Sequence, residues 1–158
     1  MNPWEYTIII VEDEPDEVLL LKEAFKKANV KNPIQVFRDG QEAIDQFSKL
    51  GRHSRSVFFD APPALVLLDL KLPHRTGFEV LEWLRHQPHL KRLVVVMLAH
   101  SLQPSDINRA YELGCNSYLA KPGNLEQSVE MVSLVYRYWL LLNVCSNPGY
   151  TTNPDPPW

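Results

Sequence analysis

The chain has 158 residues, of which 45% are hydrophobic and 22% charged, enough for one domain with a sizeable core. A formal net charge of −3 gives nucleic-acid binding no bulk electrostatic support, and the two cysteines, Cys115 and Cys145, show neither CxxC spacing nor a disulfide framework. No basic segment followed by a long apolar stretch opens the sequence, and the most apolar run, residues 138–144, is too short to span a bilayer; the expectation is a protein of the reducing cytoplasm with no membrane or nucleic-acid partner.

Residues 6–11 form a compact β-branched run that reads as a buried strand. Pro15 suits the first turn of a helix over about 16–28, with Val18, Leu19, Leu21, Ala24 and Phe25 as its apolar face. Asn32-Pro33 breaks the chain, residues 34–37 make a second short strand, and Asp39-Gly40 turns into a helix over 41–50 with Ala43, Ile44 and Phe47 inward. Residues 51–63 have no apolar period and read as an exposed loop. Residues 64–68 are continuously apolar, as a central parallel strand should be. A loop with Pro73 and Gly77 leads to a helix carrying Phe78, Val80, Leu81 and Leu84, which Pro88 ends. A strand over 93–98, a helix over 105–113 stopped by Gly114, a strand over 117–120 and a helix from Asn124 to about Leu142 complete the series. Alternating strands and helices imply right-handed crossovers and a parallel sheet covered on both faces.

Three motifs lie at the carboxyl ends of such segments: Glu12-Asp13, Asp69, and Lys121-Pro122. Taken singly, each has an ordinary use. Asp13, Glu14 and Asp16 favour the positive end of a helix, Asp69 suits a strand-end turn, and Lys121-Pro122 suits a surface loop. Together they emerge on one edge of a parallel sheet, where open α/β folds bind ligands. Three carboxylates and an ammonium there are the composition of a site that holds Mg²⁺ and transfers a phosphoryl group. Magnesium takes oxygen ligands and keeps several waters, Asp69 can attack phosphorus, and metal and lysine neutralise the phosphoryl oxygens.

The segments IIIVEDEPDE, LVLLDLKLPHRTGFEVL and NSYLAKPGN resemble the receiver domain of two-component response regulators over residues 6–142. The resemblance implies a flavodoxin-like, doubly wound (βα)5 domain over 1–142 with strand order 2-1-3-4-5 and a Pro-rich extension over 143–158. It implies Glu12, Asp13, Asp69 and the backbone carbonyl of Lys71 at the metal, Asp69 as phosphoacceptor, Lys121 as phosphate partner, and Tyr118 as the aromatic switch. The phosphoryl donor would be a sensor histidine kinase, and the domain a phosphoacceptor with no classical enzyme activity beyond its own Mg-dependent phosphorylation and dephosphorylation.

One departure stands out. Family members usually carry Thr or Ser where this chain has Ala99, so the hydroxyl that normally meets the phosphoryl group and moves with the switch is missing. The N–H of Ala99 or of His100 remains, and His100 borders the pocket as a candidate phosphate neighbour. His74, His86 and His89 read as surface residues. A flavodoxin-like binder of FMN or another phosphorylated ligand is the rival use of the sheet, but its first loop needs N–H groups with Gly, Ser or Thr, where this chain has Glu12, Asp13 and Glu14. A third reading keeps the fold as a phosphorylation-independent interaction module.

Residues 134–144, LVYRYWLLLNV, with the Pro-rich tail, look like regulators associated with bacterial phytochrome-type kinases. Such regulators are homodimers joined through the last two helices and the fifth strand. Leu134, Val135 and Tyr138 are expected in the core, leaving Trp139 and Leu141, with Tyr150 from the tail, for a partner copy.

Overall fold

The computed structural model describes residues 2–50 and 61–144; most of the loop expected over 51–63 and the tail with Tyr150 lie outside the described residues, and Pro63 belongs to a strand. A 3-10 turn, Pro3–Glu5, precedes five strands and five α-helices in strict alternation: β1 Thr7–Val11, α1 Pro15–Lys27, β2 Ile34–Phe37, α2 Gly40–Ser48, β3 Pro63–Asp69, α3 Gly77–His86, β4 Val94–Ala99, α4 Pro104–Glu112, β5 Ser117–Ala120 and α5 Leu125–Tyr136. The strands form one sheet in the order β2-β1-β3-β4-β5, and every pairing is parallel.

Strand alternation divides the core in two. Ile9, Val11, Val66, Leu68, Val95 and Met97 point to one face and pack under α2 and α3 with Phe47, Leu81 and Leu84. Ile8, Ile10, Leu65, Leu67, Val96 and Leu98 point to the other and pack under α1 and α5 with Phe25 and Val132. β1, β3 and β4 are buried along their whole length because both faces are covered. Helix starts follow from the sequence. Asp39 accepts a 2.7 Å bond from the Glu42 N–H, Thr76 and Glu79 cap each other, and Asn124 accepts from the Gln127 N–H at 2.9 Å.

Three predicted core residues are corrected. Leu19 is 64% exposed: Val18, Leu21, Ala24 and Phe25 face the sheet and Leu19 falls beside that stripe. Leu134 and Tyr138 are 60% and 55% exposed, whereas Val135 is buried as expected. The chain after Tyr136 continues as a π-helical turn, Arg137–Leu142, with the Asn143 N–H donating to the Tyr138 carbonyl. The wider turn delivers Leu140, five residues after Val135, to the core with no exposure. Trp139 packs partly against the same core, and Leu141 is half-buried.

Candidate functional site

β1 has β2 on one side and β3 on the other, so the chain reverses its direction of winding there and a crevice opens at the carboxyl ends of β1 and β3. Glu12 follows β1, Asp69 ends β3, Ala99 ends β4 and Lys121 follows β5. Parallel register brings them to one edge, and the Lys121 N–H extends it by donating to the Ala99 carbonyl at 3.0 Å. A cleft of about 570 Å³ opens there, with Asp13, Asp69, Lys71, Ala99, His100 and Lys121 among its walls.

The centre of the site is an ammonium surrounded by carboxylates. Lys121 Nζ lies 2.7 Å from Glu12 Oε2 and 3.2 Å from Asp69 Oδ1, and it also bonds Glu17 Oε2. Glu12 and Asp69 are buried, and oxygen atoms of Glu12, Glu17 and Asp69 all lie within 4.8 Å of one another. Burial pushes the Glu12 carboxyl up to about 8, although Lys121 pulls the other way, and raises Asp69 against the same pull. Burial also opposes charge on Glu17, but bonds to Lys121, Glu12 and His100 win and draw it down to about 2. Lys121 is raised: burial favours its neutral form, and Glu12, Glu17 and Asp69 outweigh that. Ammonium and Glu12 thus both move upward although they touch. The two shifts agree once charge is counted, because three carboxylates share one ammonium, which favours both the charged lysine and a protonated form within the carboxylate group. A site with such an excess of buried oxygen ligands fits a divalent cation, which would supply the missing positive charge. Glu12 and Asp69 would hold it, with Asp13 and the Lys71 backbone beside them on the cleft wall.

Glu17 is the member that sequence reasoning missed. Pro15 starts α1 immediately past β1, so the third helical residue points back over the strand end. That position, four residues after Asp13 on a helix beginning at the crevice, was the available signal. His100 is exposed, and its Nε2 lies 2.7 Å from Glu17 Oε1. The ring therefore faces the acidic cluster from the rim. Tyr118 lies on β5 beside Met97 of β4. Its own hydroxyl donates to the Ser101 carbonyl at 2.7 Å, and Ser101 Oγ donates to Asp106 at 2.6 Å, which ties the β4–α4 loop to α4.

On the far side, β5 and α5 frame a cleft of about 580 Å³, with Leu119, Met131, Leu134, Tyr138 and Trp139 among its walls. No helix among the described residues is long and apolar enough to cross a membrane.

A profile of the response regulator receiver domain matches residues 8–133. Response regulator Rcp1 of Synechocystis sp. (strain ATCC 27184 / PCC 6803 / Kazusa) is 35% identical over 133 residues, 84% of this chain and 88% of its own length. Among solved structures, the phosphorylated cyanobacterial phytochrome response regulator RcpA superposes with a TM-score of 0.79 at 33% identity, covering 90% of this chain and 99% of its own. The Mn²⁺-bound form of Rcp1 gives 0.76 at 33% identity with the same coverage.

Proposed function

The chain belongs to the response regulator receiver family, and from that membership we propose that Asp69 accepts a phosphoryl group from a sensor histidine kinase of the phytochrome type, with Mg²⁺ as the metal. The observation that carries this reading is the Asp69–Lys121 contact of 3.2 Å inside a cluster of three carboxylates at the sheet's carboxyl edge. An Asp69 oxygen bonds to phosphorus as the P–N bond to the kinase histidine breaks, and the leaving imidazole keeps the electron pair and takes up a proton. Lys121 follows charge from the carboxylates to the phosphoryl oxygens, as a mobile point charge suits it to do. Glu12, Asp13, Asp69 and the Lys71 carbonyl would hold the metal, which would supply further neutralisation of those oxygens. The backbone N–H of Ala99 or His100 stands in for the absent hydroxyl. The kinase class and the metal are supported by the likeness to Rcp1 and RcpA and to the Mn²⁺-bound relative. A cytoplasmic location follows from such a partner.

Intact mass after incubation with Mg²⁺ and acetyl phosphate should rise by one phosphoryl group. Asp69→Asn should abolish the rise, and no gain in the wild type under saturating donor and metal would overturn the assignment. Tyr118 favours a second reading, since its hydroxyl already has the Ser101 carbonyl as acceptor with Ala99 beside the site. Under that reading output does not depend on phosphorylation.

The β5–α5 cleft supports a homodimer. Leu134 and Tyr138 stand exposed beside it, and covering such surface gains about 25 cal/mol per Å². A two-fold partner covers the same patch twice. Trp139 lines the same cleft, and Leu141 follows it on the half-buried turn. Light scattering at micromolar concentration should give a dimer, and Leu141→Glu should weaken it; a monomeric full-length chain would refute it.

A further inference from the structure

The three carboxylate partners of Lys121 are not equivalent. Glu12 and Asp69 are members of the metal-ligand set, and they are also two of the three groups that hold the ammonium. A divalent cation drawing on their oxygens takes those partners away from Lys121 and repels the ammonium as well. Glu17 is not among the residues proposed to hold the metal, although its oxygens lie within 4.8 Å of theirs. It comes from α1, whose first turn is fixed by Pro15, and its two oxygens are divided between different neighbours. Oε1 meets His100 Nε2 at 2.7 Å, and Oε2 meets Lys121 Nζ. The His100 ring thereby fixes the carboxylate plane and leaves one oxygen turned toward the lysine. A lysine side chain has four rotatable bonds, and an unmoored ammonium swings into solvent with a gain in entropy.

We propose that Glu17, oriented by His100, is a positioning residue that moors the Lys121 ammonium beside the acceptor while a divalent cation draws on Glu12 and Asp69. The inference rests on the phosphoacceptor reading above. The moored ammonium meets the incoming phosphoryl oxygens already in place, and Glu17 affects the reaction through Lys121.

The test compares the wild type with Glu17→Gln, Lys121→Met and the double variant, and adds His100→Ala. The first readout is the lysine ammonium signal in ¹H–¹⁵N spectra of the Mg²⁺-loaded protein, assigned by its disappearance in Lys121→Met. It should be present in the wild type, lost to solvent exchange in Glu17→Gln and weakened in His100→Ala. The second is the phosphorylation rate with acetyl phosphate at saturating Mg²⁺. Glu17→Gln should slow it by up to about a hundredfold, the loss that a misplaced group can cause, and should have no further effect once Lys121 is gone. The third is Mn²⁺ affinity, read from free Mn²⁺ by electron paramagnetic resonance. Glu17→Gln should weaken it by the same modest factor with or without Lys121, as removal of a nearby charge does. An ammonium signal unchanged by Glu17→Gln overturns the mooring, and so does an equal rate loss in both backgrounds. Near-complete loss of Mn²⁺ binding without Lys121 overturns it too, by making Glu17 a metal ligand. A wild type that gains no phosphoryl group defeats the phosphoacceptor reading instead, and the ammonium signal then decides the mooring alone.

Discussion

Replacement of Gly77 by alanine is a sharp test of how the loop after Asp69 is held. Gly77 opens α3, and its N–H donates to the Leu70 carbonyl at 2.9 Å, so the loop folds back onto the strand end. A Cβ at this position would lie 2.2 Å from the Asp69 carbonyl oxygen and 2.9 Å from Leu70 Cα. Both are backbone atoms of buried residues, at the end of β3 and the start of the loop after it, and cannot rotate aside. Relief requires a backbone shift of roughly 1 Å, and overpacking of this kind costs about 1–3 kcal/mol. The usual gain of alanine over glycine in a helix offsets less than about 1 kcal/mol of that. At about 2–4 °C per kcal/mol for a domain of this size, Gly77→Ala should lower the unfolding midpoint by several degrees. It should also slow phosphorylation, because the atoms displaced belong to the acceptor residue and to the loop bearing the Lys71 carbonyl. Gly123→Ala is the control: its Cβ would meet nothing closer than Gln127 Oε1 at 3.5 Å, and its midpoint should stay level or rise slightly. Thermal unfolding by circular dichroism, paired with the mass assay, reads both. A Gly77→Ala protein that melts and reacts like the wild type would refute the close approach of α3 to the strand end.

Two further outcomes follow from the site. Ala99→Thr should enlarge the chemical-shift response around Tyr118 when a phosphoryl mimic binds; a large response in the wild type, unchanged by the substitution, would show that another group, His100 first, has taken over. The metal-free protein should lose stability as pH rises from about 4.5 toward 8. Glu12 is raised by burial, so its folded form holds a proton that the unfolded chain releases, and this contribution is full below the unfolded value and gone above about 8. Added Mg²⁺ removes the need for that proton, so the rise in midpoint that it causes should be larger at pH 8 than at pH 6, with about 2.7 kcal/mol available at a hundredfold excess over Kd. Scanning fluorimetry across that range checks it, and an equal or smaller rise at pH 8 would contradict the proton retained at Glu12.

The strands were legible in the sequence because burial on both faces leaves only apolar side chains in β1, β3 and β4 apart from Thr7 and Asp69 at strand ends, and parallel strands then put every strand-end motif on one edge. Helix ends were less legible, since they depend on which group reaches the next carbonyl. The π turn at Arg137–Leu142 is the clearest case. A 3.6-residue period carried on from Val135 predicts the wrong inward residues, and no local residue type announces the extra one. Arg85 is another. As a charged residue late in a helix it reads as surface, yet it donates to the carbonyls of Gly114 at 2.8 Å and Leu93 at 2.8 Å and to the Asn116 side chain at 3.0 Å. Those partners come from the β4 entrance and the α4–β5 turn, so only the assembled fold reveals that the guanidinium joins them.

The same distinction explains why Glu17 escaped notice while Glu12, Asp13, Asp69 and Lys121 did not. A strand end fixes where its next residue points, so a carboxylate there can be placed from pattern alone. A helix residue is placed only when the helix's start and its tilt over the sheet are known, and here Pro15 sets the start and the packing of Phe25 and Leu21 sets the tilt. Charge adds a constraint that the sequence does not display. Three carboxylates with one ammonium leave a deficit of positive charge in the cluster, and burial meets that deficit by pushing Glu12 toward its protonated form. Under the phosphoacceptor reading proposed above, a metal would take up that surplus of carboxylate oxygen and free the ammonium for the incoming phosphoryl group.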